Sequence, residues 1–243
     1  VRSRRQRQMC IRDRVIGPEN IADYEAIIKD KKIELLVCFA YPNILKKKEL
    51  ALFSKGCINY HSGLPKYRGR HPLNWMLIDG MKTIPNAIHY MDEGIDTGDI
   101  LLQRNIVSER GDDYKTILHK QTLISQEMML EAIKMIESGG VTRIRQNPDE
   151  LGYTPKRTPE DSRMDWESTS KQLHNFISAL VDPMPNAFCY MEDKKISIRK
   201  SYIGSAPGIV LYEIEDRKYV VSTGDGVVVV ETDIKLNVGN KLQ

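Results

Sequence analysis

From Pro18 to Gly140 the sequence alternates between helix-like and strand-like segments, and this alternation restricts the fold more than any other feature. NIADYEAIIKDKK repeats its apolar residues at helical spacing and leads into IELLVCFAYP, a short apolar run suited to a buried strand. ILKKKELALF then reads as helix, GCINYH as strand, HPLNWMLIDG as a helix stopped by Gly80, and NAIHYM and ILLQRNIVS as two further strands. A long helical pattern follows from Asp112 to Glu137, with Ile117, Met128, Met129 and Ile136 on its apolar stripe and Gly139-Gly140 at its end. The expected architecture is a layered α/β domain with a mostly parallel sheet.

Past residue 146 the pattern changes. NPDELGYTPKRTPEDS is rich in proline and charge and reads as a linker over residues 146–163. The amphipathic helix SKQLHNFISALV then precedes NAFCYME, KISIRKSYI, GIVLYEIE, KYVVSTG and GVVVVETDI, the strand runs of a small β-rich module of the OB kind over 164–243. With 41% hydrophobic residues in 243, the chain can build a core in both parts, and its longest apolar runs fall far short of the roughly 20 residues of a membrane span. Four cysteines, Cys10, Cys38, Cys57 and Cys189, lack metal-ligand or disulfide spacing, so a reducing, cytoplasmic setting without a metal is expected.

Charge is unevenly spread. Residues 1–14 hold six arginines and one aspartate, a local +5, which leaves the remainder at −2 within a formal total of +3. VRSRRQRQMCIRDR has neither hydrophobic period nor signal-peptide core, so residues 1–14 are expected to be a non-native or disordered leader, with an RNA-binding arm as the alternative. The catalytic domain is then expected over 15–145.

Two polar motifs interrupt the apolar pattern: Asn59-Tyr60-His61 at the end of a strand, and MDEGIDTGD around Asp96. Strand geometry puts Asn59 and His61 on one face, at the strand end where open α/β sheets hold ligands. An amide to stabilise an oxyanion, an imidazole to move a proton and a carboxylate to orient the imidazole are the groups that acyl transfer between nitrogens requires. No serine or cysteine nucleophile is needed.

CINYHSGLPKYRGRHPLNWMLIDG followed by HYMDEGIDTGDILLQ resembles the paired signature of the formyltetrahydrofolate-dependent formyltransferases, and KRTPEDSRMDW with LHNFISALVDPMPNAF resembles their C-terminal domain. The resemblance implies a Rossmann-like formyltransferase domain followed by an OB-like module, with Asn59, His61 and Asp96 as the catalytic set. It also implies 10-formyltetrahydrofolate as formyl donor, held by Asn43, Ile44 and Leu45 and by Met91, Asp92, Glu93 and Gly94. Acceptor contacts are expected from Ser62, Gly63, Lys66, Tyr67, Arg68 and Arg70. Two departures stand out: the loop after His61 is one residue shorter than the family's, and Pro85-Asn86-Ala87 replaces its usual Gly-Val-Thr. The resemblance also implies two further βα units ahead of Pro18, roughly 60 residues at about 30 per unit, so an N-terminally shortened domain is expected.

Within the family, RGRHPLNW and IHYMDEGIDTGD are closer to sugar N-formyltransferases, which implies a nucleotide-linked amino sugar as acceptor and leaves a homodimer open. Residues 151–243 carry 12 Lys plus Arg against 13 Asp plus Glu, without the basic excess that a polyanion partner favours. Methionyl-tRNA is the alternative acceptor. A formyltetrahydrofolate hydrolase, or an inactive folate-binding remnant, is the third reading.

Overall fold

The computed structural model describes residues 21–191, 193–203, 212–223, 225 and 227–236. The arginine-rich leader lies outside them, as do Cys10 and the first part of GIVLYEIE.

The first half contains helix α1 (Glu25–Asp30), strand β1 (Leu35–Phe39), the one-turn helix α2 (Lys47–Leu50) and strand β2 (Gly56–Ser62). The two-residue strand β3 (Arg68–Gly69), helix α3 (Pro72–Ile78), strands β4 (Thr83–Tyr90) and β5 (Ile100–Val107), and helix α4 (Tyr114–Ser138) complete it. The expected second helix is reduced to α2 because Asn43 to Leu45 run as loop, with Leu45 driven inward to 1% exposure. Helix α4 follows its sequence signals: the Asp113 side chain accepts from the Thr116 N–H at 2.9 Å, and Gly139 closes the helix at φ 75°. Its buried face includes Ile117, Met128 and Ala132, each fully inaccessible. Met128→Ala is therefore expected to cost about 2–5 kcal/mol in unfolding free energy, read from a denaturant melt.

The Rossmann-like α/β class stands, and the sheet itself is mixed. Its order is β1-β2-β4-β5; β1 and β2 are parallel, whereas β2–β4 and β4–β5 are antiparallel. The parallel expectation therefore fails for the strands carrying NAIHYM and ILLQRNIVS. The link Met91–Asp99 is shorter than the dozen or so residues a parallel crossover needs. At the other end of β4, the Gly63 N–H leaving β2 donates to Pro85 O at 2.7 Å, so the chain re-enters the sheet from the end it left. Asn86 is completely buried and both of its polar atoms are bonded: Nδ2 donates to Ile84 O at 2.8 Å, and Oδ1 accepts from Tyr60 at 2.6 Å and Gln121 at 3.0 Å.

The second half holds helix α5 (Ser170–Ser178) and strands β7 (Ala187–Met191), β8 (Lys194–Ile203), β9 (Tyr212–Glu215), β10 (Lys218–Ser222) and β11 (Val227–Thr232). The strands form an antiparallel sheet ordered β7-β8-β11-β10-β9, the strand count of an OB-like module. One apolar core runs through both halves, joining Leu73, Met76 and Ile117 to Leu173, Ile177, Ile196 and Val228. Asn74 Nδ2 donates to Ala179 O at 2.6 Å across the same junction.

Between the halves, residues 146–163 lie against the first half as a strap. Strand β6 (Tyr153–Thr154) pairs in parallel with β3, and Trp75 Nε1 donates to Pro155 O at 3.2 Å.

Candidate functional site

Strand β2 and its antiparallel neighbour β4 put Asn59 opposite His89 and His61 opposite Ala87. Asn59, His61 and His89 are 8%, 9% and 2% exposed, polar groups held among apolar neighbours. Asp96 arrives from the loop after β4. Its Oδ2 lies 3.6 Å from His61 Nδ1 and its Oδ1 lies 3.5 Å from His89 Nε2. The Gly69 N–H also donates to Asp96 Oδ2 at 3.1 Å.

Two glycines set these approaches. A Cβ on Gly98 would stand 1.9 Å from Tyr90 O, so the Asp96 loop can fold back on β4 only without a side chain there. Gly69, at φ 100°, would place a Cβ 2.6 Å from Thr154 O. Asp92 organises the same loop: its Oδ1 accepts from the Gly94 N–H at 3.0 Å and from the Thr97 hydroxyl at 2.6 Å.

The hydrogen bonds assign the protons. His61 Nε2 sits 3.0 Å from Tyr67 O, which can only accept, so neutral His61 carries its hydrogen on Nε2 and turns the Nδ1 lone pair towards Asp96. His89 Nδ1 likewise faces Tyr90 O at 2.8 Å, leaving Nε2 to accept from Asn59 Nδ2 at 3.3 Å. Asn59 Oδ1 is buried and has no hydrogen-bond partner among the described residues. Burial pushes His61 below its ordinary 6.5, against the opposing pull of the Asp96 charge, so the ring is neutral at neutral pH. Burial would raise Asp96, but contact with the His89 ring, the positive charge that His61 carries when protonated and the Gly69 N–H outweigh it and hold the carboxyl below 3.8.

These groups face a cavity of about 640 Å³. Of the residues expected to hold the donor, Asn43, Ile44, Leu45, Met91, Asp92 and Gly94 line it, and Glu93 does not. Phe39, Tyr41, Pro42 and Ile95 add apolar wall, and Phe39 stacks on Tyr60 with ring centres 5.9 Å apart. Of the expected acceptor contacts, Ser62 and Arg70 line this cavity, joined by His71 and Tyr153. Lys66 and Tyr67 instead line a second cavity of about 840 Å³ between α3 and α5, where the Tyr67 hydroxyl donates to Asp79 Oδ2 at 2.6 Å. Gly63 and Arg68 line neither, and Arg68 Nε donates to Gly152 O at 3.0 Å. The larger cavity lacks the Asn59, His61 and Asp96 set, so the smaller one is the candidate site. Among the described residues no group of three or more His, Cys, Asp and Glu gathers as a metal site, and no helix is long and apolar enough to cross a membrane.

Sequence reasoning missed His89, which looks like an ordinary strand residue until the β2–β4 register sets it beside Asn59. It also missed His71 and Tyr153, whose places depend on the α3 turn and on the strap. No local pattern marks any of the three.

Comparison with known proteins agrees with this architecture. The Formyl transferase family profile matches residues 15–133, and the profile of the Formyl transferase C-terminal domain matches 156–243. A methionyl-tRNA formyltransferase of Caldanaerobacter subterraneus subsp. tengcongensis is 34% identical over 207 residues, covering 82% of this chain and 67% of that protein. The bifunctional polymyxin resistance protein ArnA of Wigglesworthia glossinidia brevipalpis is 36% identical over 204 residues, 81% of this chain and 31% of that protein. In structure, the N-formyltransferase from Helicobacter canadensis, solved with folinic acid and dTDP-3-aminofucose, superposes with a TM-score of 0.66 at 20% identity. That match covers 81% of this chain and 72% of the neighbour, and at such identity it speaks for the fold alone. By sequence, fold and the order of its two parts, the chain belongs to the formyl transferase family.

Proposed function

We propose that the protein moves a formyl group from 10-formyltetrahydrofolate to a primary amine, with Asn59, His61 and Asp96 as the catalytic set. The observation that carries this reading is the convergence of the buried Asn59 and His61 and the half-buried Asp96 at the polar end of a cavity that is otherwise largely apolar. Its volume of about 640 Å³ suits a small-molecule ligand, and the Phe39, Ile44, Leu45 and Met91 wall suits a flat pterin face. Asn59 offers both of its polar atoms: Oδ1 can accept from the incoming amine, and the second Nδ2 hydrogen can meet negative charge growing on the formyl oxygen. As the amine nitrogen bonds to the formyl carbon, its proton passes to His61 Nδ1, and the imidazolium is stabilised by the Asp96 carboxylate. The bond from that carbon to N10 then breaks, and the same proton goes to the departing nitrogen.

His61 must be neutral to accept the proton. Because burial lowers its pKa, the rate is expected to fall with acid only below the ordinary 6.5, and a kcat profile over pH 5–8 checks this sign.

For the acceptor we favour a nucleotide-linked amino sugar. Arg70 supplies a guanidinium fork for phosphate, and Tyr153, 58% exposed at the rim, supplies a ring face for a base. Residues 151–243 have no net positive charge to meet a polyanion. Methionyl-tRNA is the second reading, favoured by the 34% identity to an enzyme of that name. Among the described residues Cys38, Cys57 and Cys189 are buried and unpaired, which fits a cytoplasmic setting for either. The test is tetrahydrofolate release by the full-length protein given 10-formyltetrahydrofolate. Release dependent on an amino-sugar nucleotide supports the proposal, release only with methionyl-tRNA transfers the reading to the second acceptor, and release with water alone overturns amine transfer.

A further inference from the structure

Gln146 opens the segment whose composition reads as a linker, yet it is only 6% exposed and reaches into the catalytic loop. Its Nε2 donates to Asp96 O at 2.9 Å and to Gly98 O at 2.7 Å. Its Oε1 is buried and has no hydrogen-bond partner among the described residues. Exchanging the two amide atoms would aim Oε1 at two carbonyl oxygens, so the orientation is fixed by chemistry. A buried orphan acceptor is unfavourable, and Met or Leu would fill this space without one. What Gln adds is the pair of N–H bonds to the backbone of the Asp96 loop.

That backbone needs holding. Asp96 sits at φ 54°, in the left-handed region that a residue with a Cβ adopts only at a cost. The strap is itself anchored on both sides of Gln146. Ile144 and Ile100 exchange two backbone hydrogen bonds of 2.8 Å on one side, and β6 pairs with β3 on the other. Gly69 of β3 is the residue whose N–H meets the Asp96 carboxylate. One segment thus grips the main chain of Asp96 directly and its side chain through Gly69.

We infer that Gln146 is a positioning residue that holds the Asp96 carboxylate against His61 and His89, so that the strap forms part of the active-site frame. The inference rests on the catalytic reading of Asp96. Loss of the clamp lets the Asp96 loop relax, and displacement of a catalytic group by about 1 Å can cost up to 10²-fold in rate.

The test compares Gln146→Met and Gln146→Glu in the wild type and in an Asp96→Asn background, using the full-length protein. Gln146→Met is expected to lower kcat roughly tenfold, with donor KM within about twofold, and to add less than about twofold when Asp96 is already Asn. Gln146→Glu places a carboxyl against two carbonyl oxygens in a buried site, which raises its pKa. Its activity relative to wild type should therefore climb as pH falls and the carboxyl regains a hydrogen to donate. Should the Met variant melt below the assay temperature, that ratio decides. Unchanged kcat in Gln146→Met, a full tenfold loss on top of Asp96→Asn, or a pH-independent Glu-to-wild-type ratio would overturn the inference. Wild-type turnover by Asp96→Asn alone would instead overturn the reading beneath it.

Discussion

His61→Ala is expected to lower kcat by about 10³-fold while donor KM changes little, since a positioned acid–base group contributes about 10²–10⁴-fold. The ring lies at the polar end of the cavity, and its Nε2 is committed to Tyr67 O, so Nδ1 is its free proton acceptor. Alanine keeps the strand and removes that acceptor. The amine must then lose its proton to water, a far weaker base than the positioned imidazole. Measured as tetrahydrofolate release at saturating amine, a fall of less than about tenfold would mean that another group takes the proton.

Asp96→Asn should slow transfer by about 10²-fold, and it carries a second signature. The substitution keeps the shape: with the amide oxygen in the Oδ2 place it still accepts from Gly69, and the new N–H then faces His89 Nε2, so His61 Nδ1 keeps its lone pair but loses the charge beside it. That charge partly offsets burial at His61. The His61 pKa drops further, so the acid limb of the kcat profile moves to lower pH as the plateau falls. A lowered plateau with an unmoved limb would show that Asp96 acts through something other than the imidazole.

Period two in a strand placed Asn59 and His61 on one face, the resemblance to a family signature singled them out, and both line the cavity. Asp96 was singled out by the same resemblance, since its glycine-flanked motif alone reads as an acidic turn, and α4 was legible because its apolar period and Asp113 cap agree. What sequence missed depends on chain routing. The antiparallel entry of β4 follows from where the link after β2 turns, and that entry alone sets His89 beside Asn59. Lys66 and Tyr67 follow the catalytic strand closely, yet the Gly63 turn, closed by the Tyr67 N–H to Gly63 O at 2.7 Å, carries them to the other cavity. Gln146 sits in a proline-rich, charged stretch whose composition reads as linker, because composition records neither the two carbonyls its amide meets nor the strand pairing of Thr154.

The most direct measurement is single-turnover formyl transfer with donor prebound, comparing wild type with His61→Ala at equal donor occupancy. The account predicts equal donor Kd, a transfer step about 10³-fold slower in the variant, and N-formylated amine formed in step with tetrahydrofolate. Equal transfer rates at equal occupancy, or a loss that vanishes once donor binding is saturated, would contradict it.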